Sequence, residues 1–168
     1  TNIELIFSDN ASDDTSWEIA CRYQRNNPGK MFIARNKENL GTDANLRNCL
    51  SARRGSFYCV IGSDDVLDPN FVSYCVRAFH EEPDIHYVMT HRFIIDENSK
   101  RTDEAPFYDG TYILYPPSQC SVYMMAAINP TISQVMYRKG ADFDTRGIFN
   151  GQFYAARLLD FMITLRHA

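Results

Sequence analysis

Two adjacent carboxylates, Asp64 and Asp65, follow shortly after the apolar run at residues 57–61. The length of this run and its aromatic and β-branched residues predict a buried strand. Asp68 and Pro69 then predict the start of a helix, with Asp68 as the N-cap and Pro69 at the first helical position. The acid pair is therefore predicted to lie in a short loop at the carboxyl end of a strand. In open α/β sheets this is the edge at which ligands bind.

The negative charges of the acid pair require compensation. Adjacent carboxylates repel each other unless a cation or hydrogen-bond donors lie nearby. A divalent cation that carries a phosphate ester would meet this need, because hard cations prefer oxygen ligands. The alternative is a polar loop without a ligand. Because the predicted cap Asp68 is a separate residue, capping leaves Asp64 and Asp65 unexplained, and the sequence favours a metal site.

Length, composition, net charge and cysteine content limit the classes of protein to which this chain can belong. A chain of 168 residues with 45% hydrophobic residues predicts one globular domain. A net charge of −4 argues against nucleic acid as a partner. Five cysteines without a CxxC pair predict reduced core thiols, and hence the cytoplasm or the inner face of a membrane. No apolar run approaches the roughly 20 residues of a transmembrane helix, and no signal peptide, zinc motif or glycine-rich nucleotide motif occurs.

Strands and helices are predicted to alternate in the first part of the chain, which indicates a parallel α/β sheet with flanking helices. The predicted strands are residues 3–7, 31–34, 57–61 and 86–95, and the predicted helices are residues 15–26 and segments that begin near residues 41 and 68. Thr15 and Glu18 predict a capping box at the start of the first helix.

The second part of the chain is less regular. Residues 96–111 are polar, residues 132–137 predict a strand, and residues 154–166 predict a helix. The single domain is therefore predicted to have a nucleotide-binding half at residues 1–95 and a second half at residues 96–168.

Polar residues also follow the other two predicted strands. Asp9 and Asn10 come after the first strand, and Asn10 offers a donor and an acceptor that suit the edge of a base. The alternative is a polar turn that only caps the next helix. Asn45 follows Gly41, which permits a turn with positive φ, and Asn45 is predicted to bond back to the helix cap. A simple helix start is the alternative here.

Asp160 is an acid among apolar neighbours, which is typical of a paired or a functional residue. Pairing with Arg157, or capping of the following segment, is the structural alternative to a functional role.

Together these segments resemble the family-2 glycosyltransferases of the GT-A fold. The resemblance rests on the strand followed by Asp-Asn-x-Ser-x-Asp, on Asn39-Leu40-Gly41 with Asn45, on residues 52–69 with the acid pair, and on residues 160–166. It implies a bacterial enzyme of surface-polysaccharide biosynthesis. Such an enzyme transfers a sugar, with inversion, from a nucleotide-diphosphate sugar to a carbohydrate or lipid-linked acceptor.

The resemblance also implies roles for individual residues. Asn10, together with Asp9 and Asn45, is implied to bind the nucleotide, and Asp64 is implied to lie near the ribose. Asp65 is implied to ligate Mg²⁺ or Mn²⁺ at the diphosphate. Asp160 is implied to be the general base that deprotonates the acceptor hydroxyl.

Two features depart from the family pattern. The family's first strand would precede residue 3, so we expect a domain that is incomplete at its N-terminus, with an open sheet edge at which homo-oligomers could form. The acid that usually precedes the position of Asp160 is Leu159 here.

There are two alternatives to this enzyme: a non-catalytic domain of the same fold that binds nucleotide sugars or a protein partner, and a metal-dependent phosphohydrolase.

Overall fold

The computed structural model describes residues 2–102 and 132–139. The described residues fall into two compact units, which meet along the chain between Ser56 and Phe57. The predicted helix at residues 154–166 lies outside the described residues, and the predicted division of one domain at residue 95 stays a prediction. Within the described part of the chain, no helix combines the length and the apolar character that a membrane span requires.

The first unit alternates strands and helices, as predicted. Its elements are β1 (Leu5–Asp9), α1 (Ser16–Asn26), β2 (Met31–Arg35) and α2 (Thr42–Ala52). Strands β1 and β2 are parallel, and their register pairs Leu5 with Met31 at one end and Asp9 with Arg35 at the other. Among the described residues, β2 is the only strand hydrogen-bonded to β1. The prediction that another chain pairs with the second edge of β1 stays a prediction.

The start of α1 differs from the predicted capping box. Thr15 occupies the N-cap position, but its side chain makes no capping hydrogen bond. Its ψ of 8° lies far from the extended backbone that a capping side chain needs. The backbone N–H of Ser16 instead donates to Asp14 Oδ1 at 2.9 Å. The hydroxyl of Ser16, and after it this backbone N–H, hold the pKa of the Asp14 carboxyl below its usual value. The carboxylate of Asp14, and not the side chain of Thr15, therefore bonds the backbone at the start of α1.

The second unit contains a three-stranded antiparallel sheet among its described residues, and the predicted mainly parallel sheet of the whole domain stays a prediction. Its elements are β3 (Phe57–Cys59), α3 (Phe71–Glu81), β4 (Tyr87–Met89), a 3₁₀ turn (Ile132–Gln134) and β5 (Val135–Arg138). The strand order is β3-β5-β4, and β5 runs antiparallel to both neighbours. Strand β5 is the central strand, and its Val135, Met136 and Tyr137 are at most 3% exposed.

Helix α3 begins later than predicted. Asn70, and not Asp68, is its N-cap, and Pro69 precedes the first helical residue, Phe71. Asp68 Oδ1 accepts from the N–H of Asn70 at 2.7 Å, and its backbone carbonyl accepts from the N–H of Phe71 at 2.9 Å. Asp68 and Pro69 therefore form a tight turn that leads into the helix.

The core of the second unit forms where α3 packs on the sheet. Phe71, Cys75, Phe79 and Met136 are buried together, and the ring of Phe57 stacks on Phe79 at 4.5 Å. Burial raises the pKa of the Cys75 thiol to about 12. The described cysteines are all free thiols, as predicted, although only Cys75 among them is fully buried. Cys120 lies outside the described residues.

Candidate functional site

Asp9 lies at the carboxyl end of β1 and fastens the loop that follows to β2. Its side chain is buried, and its Oδ2 lies 2.9 Å from Nε of Arg35. The same carboxylate accepts from the backbone N–H of Ser12, at 3.3 Å to Oδ2. Arg35 completes the link because its Nη2 donates to the carbonyl of Ser12 at 2.7 Å. The charge of Asp9 is thus balanced within the first unit.

Asn10 is largely engaged by its neighbours. Its Oδ1 accepts from Nδ2 of Asn36 and from the backbone N–H of Leu40, both at 2.9 Å. Its Nδ2 donates to Oδ1 of Asn39 at 2.8 Å. A side-chain amide has two N–H donors, so this bond leaves one of them for a ligand.

Asn45 joins α2 to β1 and also bonds back to the helix cap, as predicted. Its backbone N–H donates to the carbonyl of the cap residue Gly41 at 3.2 Å, and Gly41 has a φ of 81°. Its Nδ2 donates to the carbonyl of Ser8 at 2.9 Å, and its Oδ1 accepts from the Ser8 hydroxyl at 2.6 Å. The side chain of Asn45 therefore adds a link to β1 that the sequence did not indicate.

Asn36 is the residue that connects these contacts, and the sequence analysis missed it. Its Nδ2 donates to Asn10 Oδ1 at 2.9 Å and to Asn45 Oδ1 at 3.0 Å. Its Oδ1 accepts from Nδ2 of Asn48 at 3.3 Å. We call Asn10, Asn36, Asn39, Asn45 and Asn48 the amide network. The signal that could have revealed it is the presence of four asparagines within residues 36–48.

The predicted acid pair lies in the second unit, in the loop after β3. Asp64 and Asp65 are both exposed. A Cβ atom placed on Gly62 would lie 2.9 Å from Oδ1 of Asp64 and 2.9 Å from Oδ2 of Asp65. The two oxygens are therefore no more than twice that distance apart. The structure brings the pair together over a glycine, where a larger residue would collide with both carboxylates.

Ser133 is the second residue that sequence reasoning missed. It lies in the 3₁₀ turn before β5 and is 7% exposed. Its hydroxyl donates to Oδ2 of Asp65 at 2.5 Å and accepts from the backbone N–H of Gly62 at 2.9 Å. No local pattern could have indicated this contact, because Ser133 stands 68 residues after Asp65.

The acid pair carries two charges that the described residues do not balance with a cation. The ion pairs within residues 2–102 and 132–139 include those of Arg35 with Asp9, Arg54 with Glu4 and Arg77 with Glu81, and none in this part of the chain involves Asp64 or Asp65. The same part of the chain contains no group of three or more metal-ligating side chains. Two carboxylates are nevertheless enough for Mg²⁺, which typically binds one or two carboxylates together with substrate phosphates. The chemistry of Asp64 and Asp65 therefore fits such a cation.

The predicted site residues thus fall into two groups. Asp9, Asn10 and Asn45 come together in the first unit, and Asp64 and Asp65 come together in the second. Asp160 lies outside the described residues, and its role stays a prediction.

Comparison with known proteins gives the same family as the motifs. A family model described as "Glycosyl transferase family 2" matches residues 1–142 of the chain. This match includes both groups of predicted site residues and also Ser133.

Two curated relatives cover about half of the chain each. The abequosyltransferase RfbV of Salmonella typhimurium is 31% identical over 85 residues, which are 51% of this chain and 26% of the relative. The chondroitin synthase of Escherichia coli is 29% identical over 98 residues, which are 57% of this chain and 14% of the relative. The chain therefore spans well under two thirds of the length of these relatives.

Proposed function

Because the chain belongs to glycosyl transferase family 2, we propose that it transfers a sugar, with inversion, from a nucleotide-diphosphate sugar to an acceptor hydroxyl. The proposal includes a GT-A fold, a carbohydrate or lipid-linked acceptor, and a place in polysaccharide biosynthesis. The names of the relatives, an abequosyltransferase and a chondroitin synthase, support this assignment. Free thiols among the described cysteines support a reducing location such as the cytoplasm or the inner face of a membrane.

The observation that most strongly supports the proposal is that the carboxylates of Asp64 and Asp65 both lie close to Gly62. Two exposed carboxylates within such a short distance repel each other in the absence of a counter-charge. Asp65, with Asp64 beside it, would hold Mg²⁺ or Mn²⁺. When bound, the cation would neutralise the charge that develops on the leaving diphosphate. The sequence provides this arrangement at the end of a strand, where α/β proteins bind ligands.

The first unit is proposed to hold the nucleotide. Asp9 and Arg35 fasten the loop after β1, and the amide network fixes the position of Asn10 within that loop. The second N–H of the Asn10 amide is then available to a base edge. Because the network is formed from neutral side chains, it would position a base without adding charge of its own.

The acceptor is proposed to lose its proton to Asp160. The transfer forms a bond between the acceptor oxygen and the anomeric carbon, and it breaks the bond between that carbon and the diphosphate. The proton of the acceptor hydroxyl passes to the Asp160 carboxylate, and the diphosphate departs with the bonding electron pair.

Calorimetry with a panel of nucleotide sugars, with and without Mn²⁺, tests the proposed donor. We expect one or a few donors to bind and Mn²⁺ to strengthen their binding. Donor binding without transfer to any acceptor would favour the non-catalytic alternative. Release of free sugar or phosphate without an acceptor would favour the phosphohydrolase.

Asp65→Ala tests the metal site. We expect it to weaken Mn²⁺-dependent nucleotide binding by more than about 100-fold, because even the loss of a group that only hydrogen-bonds to a metal ligand costs up to that factor. Asp68→Ala is the matched control, since it removes a carboxylate of the same loop that bonds the N–H of Asn70. The control should lower the melting temperature and keep the Mn²⁺ dependence. An Asp65→Ala variant that is folded and binds nucleotide with unchanged Mn²⁺ dependence would contradict the proposal.

Asp160→Asn tests the base. The nearly isosteric change should spare donor binding and lower kcat by about 10²–10⁴-fold, which is the usual contribution of one positioned proton acceptor. The structural alternative, in which Asp160 pairs with Arg157 or caps a helix, predicts a lower melting temperature with turnover retained. Measurement of both quantities separates the two.

A further inference from the structure

The hydrogen bonds of Ser133 have a defined direction. Its oxygen receives the backbone N–H of Gly62 at 2.9 Å, so the oxygen acts as an acceptor in that bond. An ionised carboxylate is an acceptor only. The single hydroxyl proton of Ser133 therefore goes to Oδ2 of Asp65, at 2.5 Å. Such a short distance is typical of a hydrogen bond from a hydroxyl to a charged oxygen.

The backbone that carries Ser133 is held firmly by the next residue. Gln134 is 5% exposed, and its Nε2 donates to the carbonyl of Thr90 at 2.9 Å. Its Oε1 accepts from Nη1 of Arg92 at 2.9 Å, and its backbone carbonyl accepts from the N–H of Thr90 at 3.0 Å. The segment after β4 thus fixes the turn before β5, and with it the place of the Ser133 hydroxyl.

We infer that Ser133 is a positioning residue that holds the Asp65 carboxylate in the orientation required for Mg²⁺ or Mn²⁺. This inference rests on the proposed function and adds the residue that sets the metal preference. With Oδ2 engaged by the hydroxyl, Asp65 presents Oδ1 as its unencumbered oxygen. A carboxylate restrained in this way favours small cations that take one oxygen from it, over Ca²⁺, which readily accepts bidentate carboxylates.

Ser133→Ala is the direct test, with Mn²⁺ and Ca²⁺ as the probes and UDP or GDP, whichever the wild-type chain binds, as the nucleotide. Free Mn²⁺ is measured by electron paramagnetic resonance, and Ca²⁺ by competition. We expect Mn²⁺ affinity to fall about 10–100-fold, as is usual when a hydrogen bond to a metal ligand is removed. Ca²⁺ affinity should fall less, and nucleotide affinity in the absence of metal should not change.

Ser73→Ala is the matched control. Its hydroxyl donates to the carbonyl of Asn70 at 2.8 Å, so the variant also loses one hydroxyl hydrogen bond in the second unit. The control should leave both metal affinities as they are in the wild type.

Gly62→Ala provides an independent second variant. The added methyl group would lie 2.9 Å from Oδ2 of Asp65 and equally close to Oδ1 of Asp64, so both carboxylates would shift and Oδ2 of Asp65 would move away from Ser133. We expect the same selective loss of Mn²⁺ affinity. The variant therefore keeps the test decisive even if Ser133→Ala fails to fold.

The outcomes separate this inference from the proposed function. A wild-type chain that binds no Mn²⁺ with nucleotide would refute the proposed metal site, and the role of Ser133 with it. Wild-type Mn²⁺ binding that stays within twofold in Ser133→Ala would refute the inference alone. An equal loss of Mn²⁺ and Ca²⁺ affinity would also refute it, since general loosening of the loop does not discriminate between cations.

Discussion

The amide network of the first unit and the acid pair of the second satisfy their hydrogen bonds in different ways. In the first unit, the amide network closes on itself, and the buried charge of Asp9 is paired with Arg35. In the second unit, Asp64 and Asp65 converge over Gly62, and the described contact to their side chains is one serine hydroxyl. A neutral network holds its geometry without a ligand, whereas an unbalanced acid pair gains stability when a cation binds. This difference supports the proposed roles of the first in positioning a base and of the second in binding a cation.

The second unit has an apolar core in which Phe71, Cys75, Phe79 and Met136 are buried as one cluster. Among the described residues of the first unit, the buried apolar residues are Ala20, Met31 and Leu50. Apolar packing is therefore expected to be a main source of stability in the second unit.

Phe79→Ala should have the largest effect on stability. The ring is 2% exposed and stacks on Phe57, so its loss should cost about 3–5 kcal/mol of unfolding free energy. Tyr74→Ala, on the same helix and 55% exposed, is the control and should cost less than about 1 kcal/mol. Urea unfolding followed by circular dichroism measures both. Similar losses in the two variants would show that apolar packing does not dominate the second unit.

Asn36→Ala should have the next largest effect. It removes the donor shared by Asn10 and Asn45 and the acceptor for Asn48, which should cost about 1–3 kcal/mol. Asn27→Ala is the matched control, because it removes one exposed amide contact, to the carbonyl of Tyr23. The control should cost less, and Mn²⁺ should not rescue either variant. If the two losses are equal, the amide network does not act as a unit.

Asp64→Asn should change stability in the opposite direction. Without metal, removal of one of two neighbouring charges should stabilise the fold by at most about 1 kcal/mol, the energy of two charges 4 Å apart in water. The gain should shrink at high salt. The melting temperature is measured in EDTA, with Asp84→Asn, an exposed aspartate before β4, as the control. A lower melting temperature than wild type would show that the pair does not repel.

Glu4→Gln should have the smallest effect, and the effect should depend on pH. The N–H of Arg54 and then its guanidinium, followed by the N–H of Gly55, hold the pKa of Glu4 below its ordinary value of 4.5. A lowered folded-state pKa adds stability that is present above pH 4.5 and is lost as the pH falls through the folded value. The variant should therefore be less stable than wild type at neutral pH and equal to it in strong acid. A difference that is constant over this range would contradict the ion pair's contribution.

Much of the local structure could be predicted, because hydrophobic spacing is a short-range signal. The segment predicted to begin near residue 68 does form a helix, and the acid pair lies in the loop where it was predicted. The errors concern helix starts, at Thr15 and Asp68, where several polar residues compete for the same backbone N–H groups. The choice among them depends on backbone angles that composition does not specify.

Within the described residues, the sequence alone determined which segments form strands and helices and which loop carries the two carboxylates. The tertiary structure decided which side chains these polar residues meet: Ser133 for Asp65 and Ser8 for Asn45, at separations of 68 and 37 residues. It also decided that β5 lies between β3 and β4, because its buried residues need a neighbour on each side. Local propensity acts over a few residues, whereas hydrogen-bond partners and strand order follow from how the whole chain buries its apolar surface.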